Sequence, residues 1–388
     1  MKLKRYHIML FATICFLIVF IGINRKYDRF YRIQGMNNDN RMLIETYLDS
    51  AQQEYIIQNN IPVDQFIDYI QIDGFLIYNY EYYHQVENQG TFNSLVEVVT
   101  HTNAIIEKLN EETPWSVNEN LTTLIDNNLL LDYETNNSFN FNYINLYTDL
   151  KPYYVLEEEN YIEAIDTLVQ SLSKLGMTSI SDSTSLLNEL FIHYSPIQVS
   201  NLMNYALEAK KMNFVIDPTD IVTLVDQDHF ITDYVPENLV VIEDIPRLSY
   251  FTYLNEEVYS SLKEMFEAYK QVENTESIMV VEGYQSYETL EKSQAGFSES
   301  QLGLQMSFKV EEIAISEFDT TNFKEWLNDN AYLYGFILRY PQDKNEITNH
   351  DYESNVYRYV GKDVALKMKN ENISTLEEYH QNDSQGDL

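Results

Sequence analysis

AYLYGFILRYPQDKNEITNHDYESNVYRYVG, residues 331–361, decides how the chain folds. Trp326 to Tyr334 reads as the end of a helix closed by Gly335, a residue suited to a left-handed cap. Phe336, Ile337, Leu338, Arg339 and Tyr340 then form a run of aromatic and branched residues, and Pro341 stops it as a strand. A polar turn, Gln342 to Asn349, leads to a second strand, Val356 to Val360, which ends at Gly361. On residues alone this is the helix–strand–turn–strand core of an α+β domain.

The wording of the stretch narrows the reading. It resembles the VanY-like D-alanyl-D-alanine carboxypeptidases, zinc peptidases in which W-L-x-x-N-A-x-x-Y-G-F-I-L-R-Y-P leads through I-T to Y-E-P-W-H-Y-R-Y-V-G. Trp326, Leu327, Asn330, Ala331, Tyr334 to Pro341, Ile347, Thr348, Tyr352, Glu353 and Tyr357 to Gly361 stand in those places. Upstream, Leu224 to Val240 is similar to the family's opening segment, with Asp226 and Gln227 where Asn-Lys is usual. Glu282 to Tyr287, EGYQSY, stands where the family has S-G-Y-R-S-Y. Ser298 to Phe308, SESQLGLQMSF, stands where it has S-x-H-x-x-G-x-A-x-D-I, and Asn372 to Tyr379 matches the start of its closing helix. The resemblance runs from Leu224 to Tyr379. It implies a small antiparallel sheet packed with helices and a site that works on the D-Ala-D-Ala end of a peptidoglycan peptide.

The same alignment implies that the chemistry is dismantled. A catalytic zinc needs three protein ligands and an open position for water. The resemblance places those ligands at Ser300, Ser307 and Val356. A neutral hydroxyl is a poor zinc ligand, and an isopropyl group is none. No zinc or other cofactor is therefore expected. Glu353 stands at the position of the general base, whose family role is to take a proton from water that zinc acidifies from about pKa 15.7 to about 7. Without metal, a carboxylate of ordinary pKa ~4.3 generates no useful hydroxide. Tyr284, Gln285 and Ser286 stand at the substrate groove, with Gln285 in place of an Arg that would balance substrate charge. Glu282 replaces a small Ser, and its charge would repel an anionic peptide end. Of the seven His, His350 falls on the polar turn and His229 in the solvated DQDH, so neither is expected to replace a ligand. Glu299, next to Ser300, is expected on an extended segment, where neighbours point to opposite faces.

Around this domain the chain is strongly acidic. Sixty-one Asp and Glu against 25 Lys and Arg give a net charge of -36, which argues against nucleic acid as a partner. One cysteine, Cys15, allows no intrachain disulfide. Lys2, Lys4 and Arg5 precede an apolar run from Ile8 to Ile23, about 16 residues long and within reach of a spanning helix. No A-x-A site follows, so residues 1–32 read as a retained signal anchor, a cleaved signal peptide being the alternative.

Residues 33–216 read as a mostly helical extracytoplasmic region. Helices are expected over Met42 to Leu48, Ser50 to Asn59, Pro62 to Ile70, Phe92 to Leu109, Asn118 to Leu131, Tyr161 to Leu175, Asp182 to Tyr194 and Ser195 to Met212. The clearest is the fourth, where Leu95, Val96, Val98, Val99, Ile105, Ile106 and Leu109 recur at helical spacing. The Tyr78, Tyr80, Tyr82 and Tyr83 cluster fits packing better than a stacking surface. Residues 217–380 form the VanY-like domain. Within it a helix is expected over Glu256 to Lys270 and a strand over Ile278 to Val281; Asn372 or Ser374 would cap the last helix. Residues 381–388 read as a disordered tail.

The reading is a membrane-anchored, extracytoplasmic bacterial protein of the VanY type that binds and does not cut. Its partner would be a peptidoglycan peptide or a cell-envelope protein. The alternatives are an active zinc carboxypeptidase with a rearranged metal site, and a scaffold that acts through its helical arm.

Overall fold

The computed structural model describes residues 5–27, 29–154, 160–272 and 275–386. These are organised as two compact units, Met1–Ile144 and Asn145–Leu388.

The first unit is helical. Helix α1, Arg5–Tyr27, carries the apolar run, and its segment Arg5–Ile23 buries none of its surface in the protein. At about 1.5 Å per residue it is long enough to cross a hydrocarbon layer of roughly 30 Å. Helices α2 (Asn38–Tyr47), α3 (Ser50–Asn59), α4 (Tyr80–Gln89), α5 (Leu95–Glu112), α6 (Val117–Asp126) and α7 (Leu130–Thr135) follow. Local chemistry sets several starts. Asp49 and Gln52 form a reciprocal capping box on α3, and Ser94 accepts from the Glu97 N–H to open α5. The apolar stripe of α5 buries Val98, Val99, Ile105 and Leu109. The helix expected from Pro62 to Ile70 is instead a 3-10 turn, Val63–Gln65, because Phe66 leaves helical geometry at φ -141. Phe66, Tyr69 and Ile70 are buried in the turns that follow. Of the Tyr cluster, Tyr83 is fully buried and donates to Asn103 Oδ1 at 2.6 Å, whereas Tyr78 is half exposed and meets Tyr55 edge-on.

The second unit follows α8 (Ile144–Leu150) with α9 (Tyr161–Lys174), α10 (Ile180–His193) and α11 (Pro196–Ala209), the last opened by a Ser195–Gln198 capping box. These helices precede position 217, yet α10 and α11 are tied to the residues after it. Gln198 Nε2 donates to the Asp233 carbonyl at 3.2 Å, Tyr194 meets Tyr234 edge-on, and Tyr205 packs on Phe230. A hairpin of β1 (Leu239–Val241) and β2 (Tyr253–Asn255) leads to α12 (Glu256–Tyr269).

The main sheet is antiparallel, in the order β3 (Ile278–Glu282), β4 (Gln305–Val310), β6 (Glu353–Tyr359), β5 (Phe336–Tyr340). Helix α13 (Asn322–Asn330) precedes β5. Helix α14 (Asn345–Thr348) occupies the polar turn before β6, and α15 (Lys362–Glu371) and α16 (Leu376–Gly386) close the chain. The architecture is the expected mixed one of small antiparallel sheets and helices.

The apolar face of α12, with Val258, Leu262, Met265 and Phe266 buried, packs on Phe308 of β4 and on Phe323 of α13. Gly335 has φ +86 at the left-handed cap before β5, and a Cβ there would meet Tyr359 at 2.6 Å. That position needs glycine for both reasons. Asn372 is the left-handed end of α15 and not a cap of α16. Thr375 takes that role, accepting from the Glu378 N–H at 3.1 Å while Glu378 accepts from the Thr375 N–H at 3.2 Å. Helix α16 continues through Gly386, into the stretch expected to be a tail.

Candidate functional site

Of the three positions where the resemblance puts metal ligands, the sheet pairs two. Ser307 on β4 and Val356 on β6 are direct cross-strand partners, and Ser307 also pairs with Glu282 at the bulged end of β3. Ser300 lies on the 3-10 turn Glu299–Leu302 that feeds β4, and its carbonyl accepts from the Gln285 N–H at 3.1 Å. All three are buried. Ser300 Oγ lies 2.7 Å from Ser298 Oγ, a hydroxyl pair satisfied within the protein.

This donor set does not fit zinc. Two neutral hydroxyls and an isopropyl group cannot replace the imidazole and carboxylate donors that a catalytic zinc requires. Among the described residues no group of three or more His, Cys, Asp or Glu side chains is gathered as a metal would need.

Glu353 is half-exposed at the start of β6. The β5–β6 register shifts between Leu338 and Tyr340, so that Glu353 pairs with Tyr340. His350 stacks on the Tyr340 ring at 3.9 Å and brings Nδ1 to 3.8 Å from Glu353 Oε1. The turn therefore folds His350 back beside Glu353, which spacing along the sequence did not reveal. Burial first, and then the Glu299 carboxylate, hold the Tyr340 phenol far above its usual value. Tyr340 and His350 edge a cleft of about 290 Å³ that also includes Asp226, Ser298 and Asn349, and Glu353 lies outside its lining. On its rim Asp226 bonds His229 at 2.7 Å. That bond and the charge behind it raise the imidazole above its ordinary value. Burial opposes ionisation of Asp226, but the same bond outweighs it and holds the carboxyl low.

Glu299 departs from the expected geometry. It sits on a 3-10 turn and not on an extended segment. Its carboxylate takes a two-pronged bond from Arg339, at 2.8 and 3.0 Å, within the core. Arg339 also binds Glu377 of α16 at 2.8 Å, and Arg358 lies 3.9 Å from Glu299. Glu299 is therefore engaged by cations. The signal was present in the sequence as a charged residue inside the strand FILRY, a place where charge needs a buried partner.

The segment expected at the substrate groove is pinned by its backbone. The Tyr284 N–H donates to the Tyr253 carbonyl at 2.8 Å, and a Cβ on Gly283 would lie 2.4 Å from that same oxygen. Ser286 Oγ is 3.4 Å from Thr289 Oγ1, inside the turn that follows.

A profile of the VanY family, described as D-alanyl-D-alanine carboxypeptidase, matches residues 290–362. YodJ of Bacillus subtilis (strain 168), provisionally named a carboxypeptidase, is 32% identical over 205 residues, 46% of this chain and 74% of YodJ. The chain belongs to the VanY family. A D-alanyl-D-alanine carboxypeptidase of Enterococcus faecium is 40% identical over 85 residues, which span 22% of this chain and 27% of that enzyme. A crystal structure of a VanY D,D-pentapeptidase from a VanB-type resistance cassette, in complex with Zn(II), shares 27% identity with a TM-score of 0.32, over 41% of this chain and 98% of that one.

Proposed function

We propose that this chain is a VanY-family protein that holds a peptidoglycan stem peptide without cleaving it, and that α1 anchors it with the bulk of the chain outside a bacterial membrane. The observation that carries the reading is the contrast within one small region. Ser307 and Val356 are cross-strand partners and the Gly283–Tyr284 segment is pinned against Tyr253, while Ser300, Ser307 and Val356 carry no donor suited to metal chemistry. Glu353 keeps its place, but a carboxylate beside ordinary water is too weak a base to cut an amide at a useful rate. Tyr284 and Gln285 can still pack against and hydrogen-bond a peptide. Gln285 supplies no cation for a terminal carboxylate, so recognition falls on neutral contacts.

The test uses the full, untagged chain in detergent. After zinc loading and dialysis it should retain near-zero zinc per chain and release no D-alanine from a pentapeptide ending in D-Ala-D-Ala. It should bind that pentapeptide, and Tyr284→Ala should weaken binding about tenfold. One tightly held zinc with D-alanine release would replace this reading by that of a working peptidase whose site uses His350 and Glu353. A folded chain that ignores the pentapeptide would move the function to another surface.

A further inference from the structure

The connection from β1 to β2, residues 242–252, is anchored at its base and apolar at its tip. Ile242 and Ile245 are buried. The Leu248 N–H donates to the Val280 carbonyl at 2.8 Å, and the Val280 N–H donates to the Pro246 carbonyl at 2.9 Å, so the loop lies along the free edge of β3. The Glu243 and Asp244 N–H groups both donate to the Tyr259 hydroxyl, at 3.1 and 3.0 Å. Thr252 Oγ1 closes the tip by donating to the Ser249 carbonyl at 3.0 Å. On this pinned frame Leu248, Tyr250 and Phe251 are 64%, 82% and 77% exposed. Three large apolar side chains held in water by a hydrogen-bonded loop mark a contact surface, since a slack loop would fold them inward.

The surroundings narrow what that contact is. Tyr250 and Leu248 edge a hollow of about 550 Å³ with Glu243, Asp244 and Arg247, and the Arg247 guanidinium lies 5.8 Å from the Tyr250 ring centre. Exposed carboxylates at the tip and at Glu282 oppose an anionic lipid surface or a polyanion. They are good acceptors for hydroxyl groups, and the face of an aromatic ring suits the C–H face of a pyranose. The tip is joined to the segment proposed to hold the peptide: β2 begins two residues after Phe251, and the Tyr253 carbonyl takes the Tyr284 N–H at 2.8 Å. A ligand lying along Tyr284 and extending past Tyr253 reaches Phe251 and Tyr250.

We infer that the Leu248–Tyr250–Phe251 tip is a sugar-binding platform for an uncharged N-acetylated glycan. It takes the saccharide of a muropeptide whose peptide lies in the Tyr284 groove. The inference rests on the proposed peptide-binding function, and its test separates the two. The full chain in detergent is titrated with tri-N-acetylchitotriose, a disaccharide-pentapeptide and the free pentapeptide. The disaccharide-pentapeptide should bind about tenfold tighter than the pentapeptide. The double variant Tyr250→Ala/Phe251→Ala should remove that advantage and the chitotriose binding, with pentapeptide affinity unchanged. Both side chains are exposed, so the variant should fold, and unchanged circular dichroism checks this. Equal affinity of the wild type for the two peptides, or a double variant that keeps the sugar advantage, overturns the platform and leaves peptide binding standing. Chitotriose binding that depends on the tip, in a chain that ignores the pentapeptide, supports the platform and sinks the peptide groove. Emission of a Phe251→Trp variant that shifts to the blue in phosphatidylcholine nanodiscs but ignores chitotriose assigns the tip to lipid and overturns the inference. A dimer that the double variant dissociates, without sugar binding, also overturns it.

Discussion

Glu299 shows at the scale of one residue how the fold is held by buried charge. Its carboxylate is 1% exposed, Arg339 is 2% exposed and Arg358 is not exposed at all. Two arginines and two glutamates, Glu377 being the second, balance each other inside the unit. Arg358 spends Nη2 on the Ile221 and Thr223 carbonyls, both at 3.0 Å, and so ties the sheet to the start of the VanY-like segment. Removing one member of a buried ionic cluster leaves an uncompensated charge, whereas replacing both partners by apolar groups of similar size can be nearly neutral. Glu299→Gln should therefore destabilise the second unit by about 3–5 kcal/mol. The double variant Glu299→Leu/Arg339→Met should cost clearly less than the sum of its two single changes. Urea unfolding followed by Trp326 fluorescence, in a Trp115→Phe background, reads this unit alone. Additive losses would mean that the cluster is not energetically coupled.

At the scale of elements, α13 meets the sheet through a buried amine. Lys324 Nζ donates to the Tyr357 hydroxyl at 3.1 Å, and burial pushes the amine down to about 8. In the unfolded chain a lysine titrates near pH ~10.4. Between about pH 8 and that value the unfolded state binds more protons than the folded one, so stability rises with pH. Lys324→Met should flatten this rise, and the gap between wild-type and variant urea midpoints at pH 8 and pH 9.5 measures it. The window must end below about pH 10, because burial raises the Tyr357 phenol and its titration in the unfolded chain then acts the other way. A wild type as flat as the variant would place the amine in contact with water.

Much of this element-level arrangement was legible in the sequence. Strand β5 ran as written, Phe336–Tyr340, and Gly335 closed the preceding turn in the left-handed region. Helix α3 ran over the expected Ser50–Asn59. Periodicity and caps are local, and local chemistry decides such ends. The 3-10 turns at Val63–Gln65 and Glu299–Leu302 were not legible, because side-chain burial chose them over the extended or helical alternatives.

At the scale of the molecule, motif spacing offers positions for a site but not the contacts between them. Motif spacing pointed to Ser300, Ser307 and Val356, and the β4–β6 register then put the last two directly opposite each other. The Glu299–Arg339 bond and the return of His350 to Glu353 depend on strand pairing across about 40 residues or on a bulge, which no short pattern encodes. If only the donors have been lost, restoring them should restore the metal. The triple variant Ser300→His/Ser307→Asp/Val356→His should hold about one zinc per chain after dialysis, where the wild type is expected to hold none. The change at Val356 is the one most exposed to steric cost, since that side chain is 6% exposed and an imidazole is larger. Circular dichroism must therefore show the triple variant folded before its metal content is read. Zinc without D-alanine release would assign the remaining loss to Gln285 and Glu282, and adding Gln285→Arg with Glu282→Ser should then recover turnover through the retained Glu353. A folded triple variant that binds no zinc would mean that the backbone around Ser300 has drifted as well, and that its 3-10 turn now serves the Glu299–Arg339 anchor alone.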